Sequence, residues 1–518
     1  MPKAAAIPLG LFHMGALLLA TPCVLEASQS AVAPAAKYQA VIQSHDKAVF
    51  GDAALELRRW MIANDPHYPK YHFVGPESWI NDPNGPIYHD GRYHLFYQFD
   101  PIVNGRRSAR CWGHAVSRDL IHWTDWPVAL WPDTPQDRAG AFSGNTFFDD
   151  DGTLCALYTG NVGGHRETNG ILARSTDDGV TWSKRVVMDN TQRPNADSPV
   201  HWDGFVWRDG GQWQQLIGGT TGGVNRQGAA WLWTSPDLKN WTLEKNIAPT
   251  IRLGAFWELP YLIPLGEQHV LFVGAGNPYW VGHYDSAKRE FTPNEQQPHS
   301  VDTGHYYSFN LNMTDDKGPA GTRRQLMHGW VNGPPTPTKS VPYWEGMLSV
   351  PRVIRLADNR LWQEPVPELL QLRGRRFGRE EPVRGDALDI TATFLPGSDK
   401  QFGVKVRVSP DGREFTRVFF DTATRRFGVD GPTLARNAAE LKGVRASGTQ
   451  ESFLRADAPV TMRILLDRSV VEVFVNGVAY TARTFPSADA LGVEFFSEGG
   501  AADMKSLEIY ELNSAWGT

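Results

Sequence analysis

One turn recurs along this chain at a constant period. Ser117 to Trp123 reads S-R-D-L-I-H-W, Ser175 to Trp182 reads S-T-D-D-G-V-T-W with one extra residue, and Ser235 to Trp241 reads S-P-D-L-K-N-W, so the starts lie 58 and 60 residues apart. Three copies of Ser-x-Asp followed by Trp at one spacing mark a repeated supersecondary unit. A unit of about 60 residues holds four short strands with their loops, the content of one propeller blade. From Tyr68 to Leu356 there is room for about five. Frequent Gly (50) and Pro (36), with Trp (19), Tyr (15) and Phe (25), agree with an all-β chain rich in turns.

At 518 residues the chain exceeds a single core. Lys3, the apolar run Ala4 to Ala20 and the small residues near Ala27, Ser30 and Ala33 predict a secretory signal peptide with its cleavage region over residues 1–33. Residues 34–66 carry a helix-like pattern stopped by Asn64-Asp65-Pro66. The propeller is expected over 67–356, a linker over 357–381, and an antiparallel β-sandwich over 382–518, where Asn476-Gly477 between alternating runs signals a tight hairpin. The leader predicts a secreted protein, extracellular or periplasmic. A formal charge of -6 without long runs of either sign gives no reason to expect nucleic acid or an anionic membrane as partner. No membrane span is expected, since no other apolar stretch approaches about 18 residues. Cys111 and Cys155 read equally as one disulfide or two buried thiols. They belong to no clustered Cys/His set, so neither a metal nor another cofactor is expected.

In a propeller, residues distant in sequence converge at the central opening. The chemistry is therefore sought in isolated acids with aromatic neighbours. Three stand out: Asp82 in W-I-N-D-P-N-G, Asp203 in H-W-D-G-F-V-W and Glu258 in A-F-W-E-L-P-Y. Desolvation by such neighbours raises a carboxyl pKa, and flat rings offer faces to sugars. Two such acids across one bond suffice to cleave a glycoside. Each stretch taken alone also reads as a turn, Asp-Pro-Asn-Gly most of all.

The motifs W-I-N-D-P-N-G, Y-Q-F-D-P at Tyr97 to Pro101, W-G-H-A-V-S-R-D-L-I-H-W at Trp112 to Trp123 and F-S-G at Phe142 to Gly144 closely resemble those of the family-32 glycoside hydrolases, the invertases, inulinases and levanases. W-E-L-P at Trp257, W-E-G-M-L-S-V-P-R at Trp344 and V-E-V-F-V-N-G at Val471 extend the resemblance over nearly the whole mature chain. It implies a five-bladed β-propeller followed by a β-sandwich, and retaining cleavage of β-fructofuranosides, with sucrose or a fructan as substrate. Carried over by position, Asp82 is the nucleophile, Glu258 the general acid/base, and Asp203 the carboxylate that binds fructose hydroxyls and stabilises the transition state. Asn81, Gln98 and Ser143 match positions that hold the terminal fructose. Trp112 and Trp330 are read as aromatic walls or as core packing.

The chain departs from the pattern twice. Trp202-Asp203-Gly204 stands where the family usually has Arg-Asp-Pro, so either Trp202 stacks on a sugar or another basic residue, such as Arg226 or Arg138, fills the place. Leu259 stands where Cys commonly follows the acid/base. A fructosyltransferase and a catalytically weak carbohydrate-binding protein are the alternative readings on the same fold.

Overall fold

This computed structural model describes residues 33–517 apart from 165, 275, 334–342, 379, 456 and 501, so residues 1–32 of the expected leader lie outside it. Five antiparallel sheets follow one another along the chain as the blades of a propeller. Blade 1 is built from Ser78–Pro83, Arg92–Asp100, Cys111–Ser117 and Trp123–Leu130, and blade 2 from Gly140–Phe148, Leu154–Asn161, Thr168–Ser175 and Ser183–Met188. Blade 3 comprises Phe205–Asp209, Gln212–Thr220, Gly228–Ser235 and Thr242–Asn246, and blade 4 Pro260–Leu265, Gln268–Val273, Pro278–Asp285 and Glu290–Pro293. Blade 5 holds Tyr306–Asn310, Arg324–Val331, Arg352–Ala357 and Arg360–Pro365. First strands lie against one another around the centre, Ser78–Pro83 against Tyr306–Asn310 and Gly140–Phe148 against Phe205–Asp209. The ring is closed by Trp344–Glu345, which pairs in parallel with Ser78 and Trp79.

The recurrent turn joins the third and fourth strands of blades 1, 2 and 3 and is built alike each time. The serine hydroxyl meets the aspartate two residues on, at 3.0 Å for Ser117–Asp119, 2.8 Å for Ser175–Asp177 and 3.2 Å for Ser235–Asp237. The tryptophan indole then donates back across the turn, Trp123 to Leu120 O, Trp182 to Gly179 O and Trp241 to Leu238 O, at 2.9, 3.1 and 3.2 Å. Each acceptor residue has positive φ (68°, 84° and 62°), which closes the loop in so few residues. The sequence period is thus one Asx-type turn repeated.

Residues 357–381, expected as a linker, are instead built into both units. Arg360–Pro365 is the outer strand of blade 5, Pro367–Leu372 a short 3-10 helix, and Arg373–Arg376 an edge strand of the sandwich. The alternation of Leu361, Gln363 and Pro365 as buried positions drives the first of these. The sandwich packs a six-stranded sheet on a five-stranded one. Asn476 and Gly477 (φ 45° and 81°) form its two-residue hairpin.

Helix Lys47–Asn64 packs on the outer strand of blade 1, Trp123–Leu130, and helix Ala33–Val41 packs on that helix. Asp46 caps Lys47–Asn64 through Ala48 N and Val49 N, and Arg58 on it forms a buried pair with Asp125 at 2.8 Å.

A fully buried ionic cluster joins propeller and sandwich. His72 bonds Asp467 (2.9 Å) and Glu472 (3.0 Å), and Arg352 pairs with Glu472 (2.6 Å) and Asp302 (3.2 Å). Burial works against the charge on His72, but the two carboxylates prevail and lift it to about 9. Glu472 and Arg352 belong to the V-E-V-F-V-N-G and W-E-G-M-L-S-V-P-R motifs, which therefore serve the interface. Cys111 and Cys155 are buried free thiols, and burial pushes both up, Cys155 to about 12. Among the described residues no helix is long and apolar enough to cross a membrane.

Candidate active site

Every blade loses regular geometry where its first strand reaches the centre. Pairing shifts between Ile80 and Pro83 in blade 1, between Ala141 and Gly144 in blade 2, and between Tyr307 and Asn310 in blade 5. In blades 3 and 4 the break falls just before the strand, where Asp203 (φ 52°) and Leu259 (φ 47°) are left-handed. Such breaks turn side chains out of the ladder. Asp82 thus sits in a bulge within a strand, not in the tight turn that Asp-Pro-Asn-Gly would form alone. Past the strand, Gly85 has positive φ (62°) and packs so tightly that a Cβ there would lie 2.2 Å from Thr146 N.

Asp82, Asp203 and Glu258 meet in one buried pocket. Ser143 Oγ donates to Asp82 Oδ2 at 2.7 Å and is itself held by Gln98 Nε2. Burial lifts Asp82 to about 6, against the pull of the Ser143 hydroxyl, Arg110 and the Ser308 hydroxyl. Asp203 is held well above its ordinary value by burial, then by the charges of Glu258 and Asp82, with Arg110 opposing. Glu258 is raised by burial and by Asp82, while hydrogen bonds from Tyr307 and Trp202 favour its charged form. The Tyr307 bond to Glu258 Oε2 is 3.3 Å. Three acids so placed cannot all ionise freely, which separates a proton-keeping group from an attacking one.

Asp203 is fixed by a chain of neutral bonds. Gln215 Nε2 donates to His201 Nε2 (2.6 Å), leaving His201 Nδ1–H to Thr159 Oγ1 (2.9 Å), which accepts the Asp203 N–H (3.1 Å). Burial drives His201 down to about 3, so it stays uncharged. A Cβ at Gly204 would lie 2.2 Å from Gln215 Nε2 and would push that amide away from His201.

The remaining expected residues divide between pocket and core. Asn81 Oδ1, Gln98 Oε1 and Trp330 Nε1 are buried without hydrogen-bond partners among the described residues, which equips them for a polyhydroxylated ligand. Trp330 stands edge-on to Trp79 (5.9 Å) and Tyr307 (6.0 Å) as one wall. Trp112 is fully buried against Phe96 and Tyr158, its indole donating to Phe142 O at 3.0 Å, and it offers no open face. Trp202 is buried between the edges of Phe142 and Phe256, with its indole engaged at Glu258, so it is no open stacking platform. Leu259 points into the core beside Phe205 and Tyr261.

Neither basic residue expected near Asp203 is the one whose charge bears on both aspartates. Arg138 is exposed and bonds back to Pro135 O at 3.4 Å, and Arg226 lies in the loop before Gly228–Ser235. That cation is Arg110. Tyr307, Ser308 and Arg110 were missed by sequence reasoning. Their signal was faint: polar residues at the site ends of strands otherwise built to be buried.

Known proteins share this architecture. Residues 72–365 match the family model for the N-terminal domain of glycosyl hydrolases family 32, and residues 362–511 match that for the family's C-terminal part. A levanase of Bacillus subtilis (strain 168) is 29% identical over 514 residues, spanning 88% of this chain and 72% of the levanase. A sucrose-6-phosphate hydrolase of Klebsiella pneumoniae is 31% identical over 456 residues, spanning 82% of this chain and 89% of its own. The solved fructan 1-exohydrolase IIa of Cichorium intybus has the same fold, with a TM-score of 0.73, 22% identity, and coverage of 87% of this chain and 98% of its own.

Proposed function

The chain belongs to glycosyl hydrolase family 32, and from that premise we propose that it is a secreted, retaining β-fructofuranosidase that releases fructose from sucrose or fructans. The observation that carries this reading is the shared burial of Asp82 and Glu258, with the charge of Asp82 bearing on Glu258, beside polar groups left unpartnered among the described residues.

Asp82 attacks the fructosyl C2 as Glu258 hands its proton to the departing glycosidic oxygen. The C2–O bond to the leaving group breaks and a C2–O bond to Asp82 forms. Glu258, now a carboxylate, takes a proton from water, whose oxygen displaces Asp82 and regenerates both groups. Asp203 accepts hydrogen bonds from the sugar. Asn81, Gln98 and Ser143 position the fructose, and Trp330 walls it. Hydrolysis is favoured over transfer because the relatives with both sequence and length in common carry hydrolase names. Lys3 followed by the apolar run Ala4 to Ala20 supports export.

The test is product analysis on sucrose, inulin and levan, with the anomer of the released fructose followed by NMR. β-Fructofuranose appearing first is the expected outcome. The α anomer first, or oligosaccharides without free fructose, would sink the reading.

The pH dependence follows from the same pocket. Asp82 attacks only as a carboxylate, so kcat/KM is expected to fall as the pH drops through about 6. Glu258 must carry its proton, and its raised pKa places a second fall on the alkaline side. A rate still flat well below pH 5 would contradict the assignment of Asp82.

A further inference from the structure

Three carboxylates in one pocket concentrate more negative charge than burial tolerates without a cation to answer it. We propose that Arg110 is that cation and the guanidinium that grips fructosyl hydroxyls, doing the work of the arginine that Trp202 replaces; the inference rests on the hydrolase reading above.

Arg110 immediately precedes the third strand of blade 1, and its backbone is tied to blade 2. It forms a bridge with Gly140, and its carbonyl accepts Ala141 N at 2.9 Å. That tie fixes it beside the strand that presents Phe142 and Ser143. Its guanidinium carbon lies 4.5 Å from the Trp79 ring centre and 4.9 Å from that of Phe142, so two aromatic faces hold the charge against the pocket wall. Trp202 stands edge-on to the same Phe142 at 6.0 Å. Arg110 therefore lies one ring away from the side chain at position 202.

Its binding capacity is not used up within the protein. The ion pair to Asp100 is long, 3.5 Å from Nε, and Arg107 takes the other oxygen of Asp100 at 2.8 Å. Arg110 Nε is buried without a hydrogen-bond partner among the described residues, and its side chain keeps 28% of its surface. A fork of donors at that place suits a pair of sugar hydroxyls.

The same position explains how Asp82 stays available. Asp82 is faced by Glu258 and Asp203, by the phenols of Tyr261 and Tyr307, by the hydroxyls of Ser143 and Ser308, and by Arg110. Arg110 bears on Asp203 as well. It is a positioning residue for the two carboxylates and a binding residue for the sugar.

Arg110→Gln and Arg110→Lys, measured beside the wild type for kcat, KM and pH dependence on sucrose and inulin, test this. With Gln, KM rises and kcat/KM falls roughly 10- to 100-fold. The acid limb moves to higher pH by about one unit, because a carboxylate deprived of its cation takes a proton more readily. With Lys, the acid limb returns toward that of the wild type while KM stays raised, since an ammonium cannot make paired bonds. Guanidinium ion at a non-denaturing concentration is expected to restore part of the rate of Arg110→Gln and to leave Arg110→Lys unimproved. A normal wild type with unchanged KM and acid limb in both variants overturns the role of Arg110 and leaves the hydrolase reading standing. A wild type without turnover removes both.

Discussion

Asp82→Asn is expected to lower kcat on sucrose or fructan by roughly 10^4-fold or more, because the amide has the shape of the carboxylate and none of its nucleophilicity. The scaffold around it should survive, since Ser143, held by Gln98, can still bond residue 82. The same substitution is expected to raise stability. Burial lifts Asp82 from 3.8 to about 6, so the folded pocket holds its proton more tightly than the unfolded chain does. That penalty is absent below about pH 4, grows as the pH rises to about 6, and stands in full at neutrality, on the order of 2–3 kcal/mol. Glu258→Gln should lower the rate less, by about 10^2- to 10^4-fold, and least on substrates whose leaving group needs no proton. Initial rates and thermal melting on the same samples read both effects. Near-normal turnover by either variant would remove the residue from its proposed role.

Arg352→Met is expected to lower stability by about 3–5 kcal/mol while leaving the pocket's chemistry in place. The arginine is fully buried between Glu472 and Asp302, and its loss strands both carboxylates in the interface. Denaturant unfolding is the measurement, and a change below about 1 kcal/mol would show that the cluster does not hold the two units together. The cluster also has a pH signature. The pKa of His72 is raised from 6.5 to about 9, so its contribution is complete below about pH 6.5 and is lost as the pH rises through 9. Glu472 is depressed to about 2, its own burial outweighed by Arg352 and His72, so its contribution is lost only in strong acid. Alkali should therefore loosen this interface before mild acid does.

The propeller was legible because its signal is local. Ser117, Asp119 and Trp123 make their turn within seven residues, and Asp237 and Trp241 repeat it, so spacing alone exposes the unit. Asp82, Asp203 and Glu258 were legible for a related reason: each breaks an apolar run beside a blade's first strand. Arg110 was not, because its meaning comes from a bridge to Gly140 in the next blade and from two rings, Trp79 and Phe142, in different blades. The burial of Trp112 and Trp202 was equally hidden, since a tryptophan reads alike in sequence whether its face is open or packed. Residues 357–381, expected as a linker, instead carry the outer strand of blade 5, a short 3-10 helix and an edge strand of the sandwich, whose partner lies far away in sequence.

The parallel pairing of Trp344 and Glu345 with Ser78 and Trp79 sets an order of events during synthesis. The strand that carries Asp82 emerges early, yet its second neighbour is made some 260 residues later. Blade 1 therefore waits, half paired, until three further blades and the first half of blade 5 exist to bring residues 344 and 345 around. A chain cut short between Glu258 and Trp344 has every candidate acid but no finished pocket. Catalytic competence thus arrives in a single late step, and a protein built this way can remain inert while its chain is still being made.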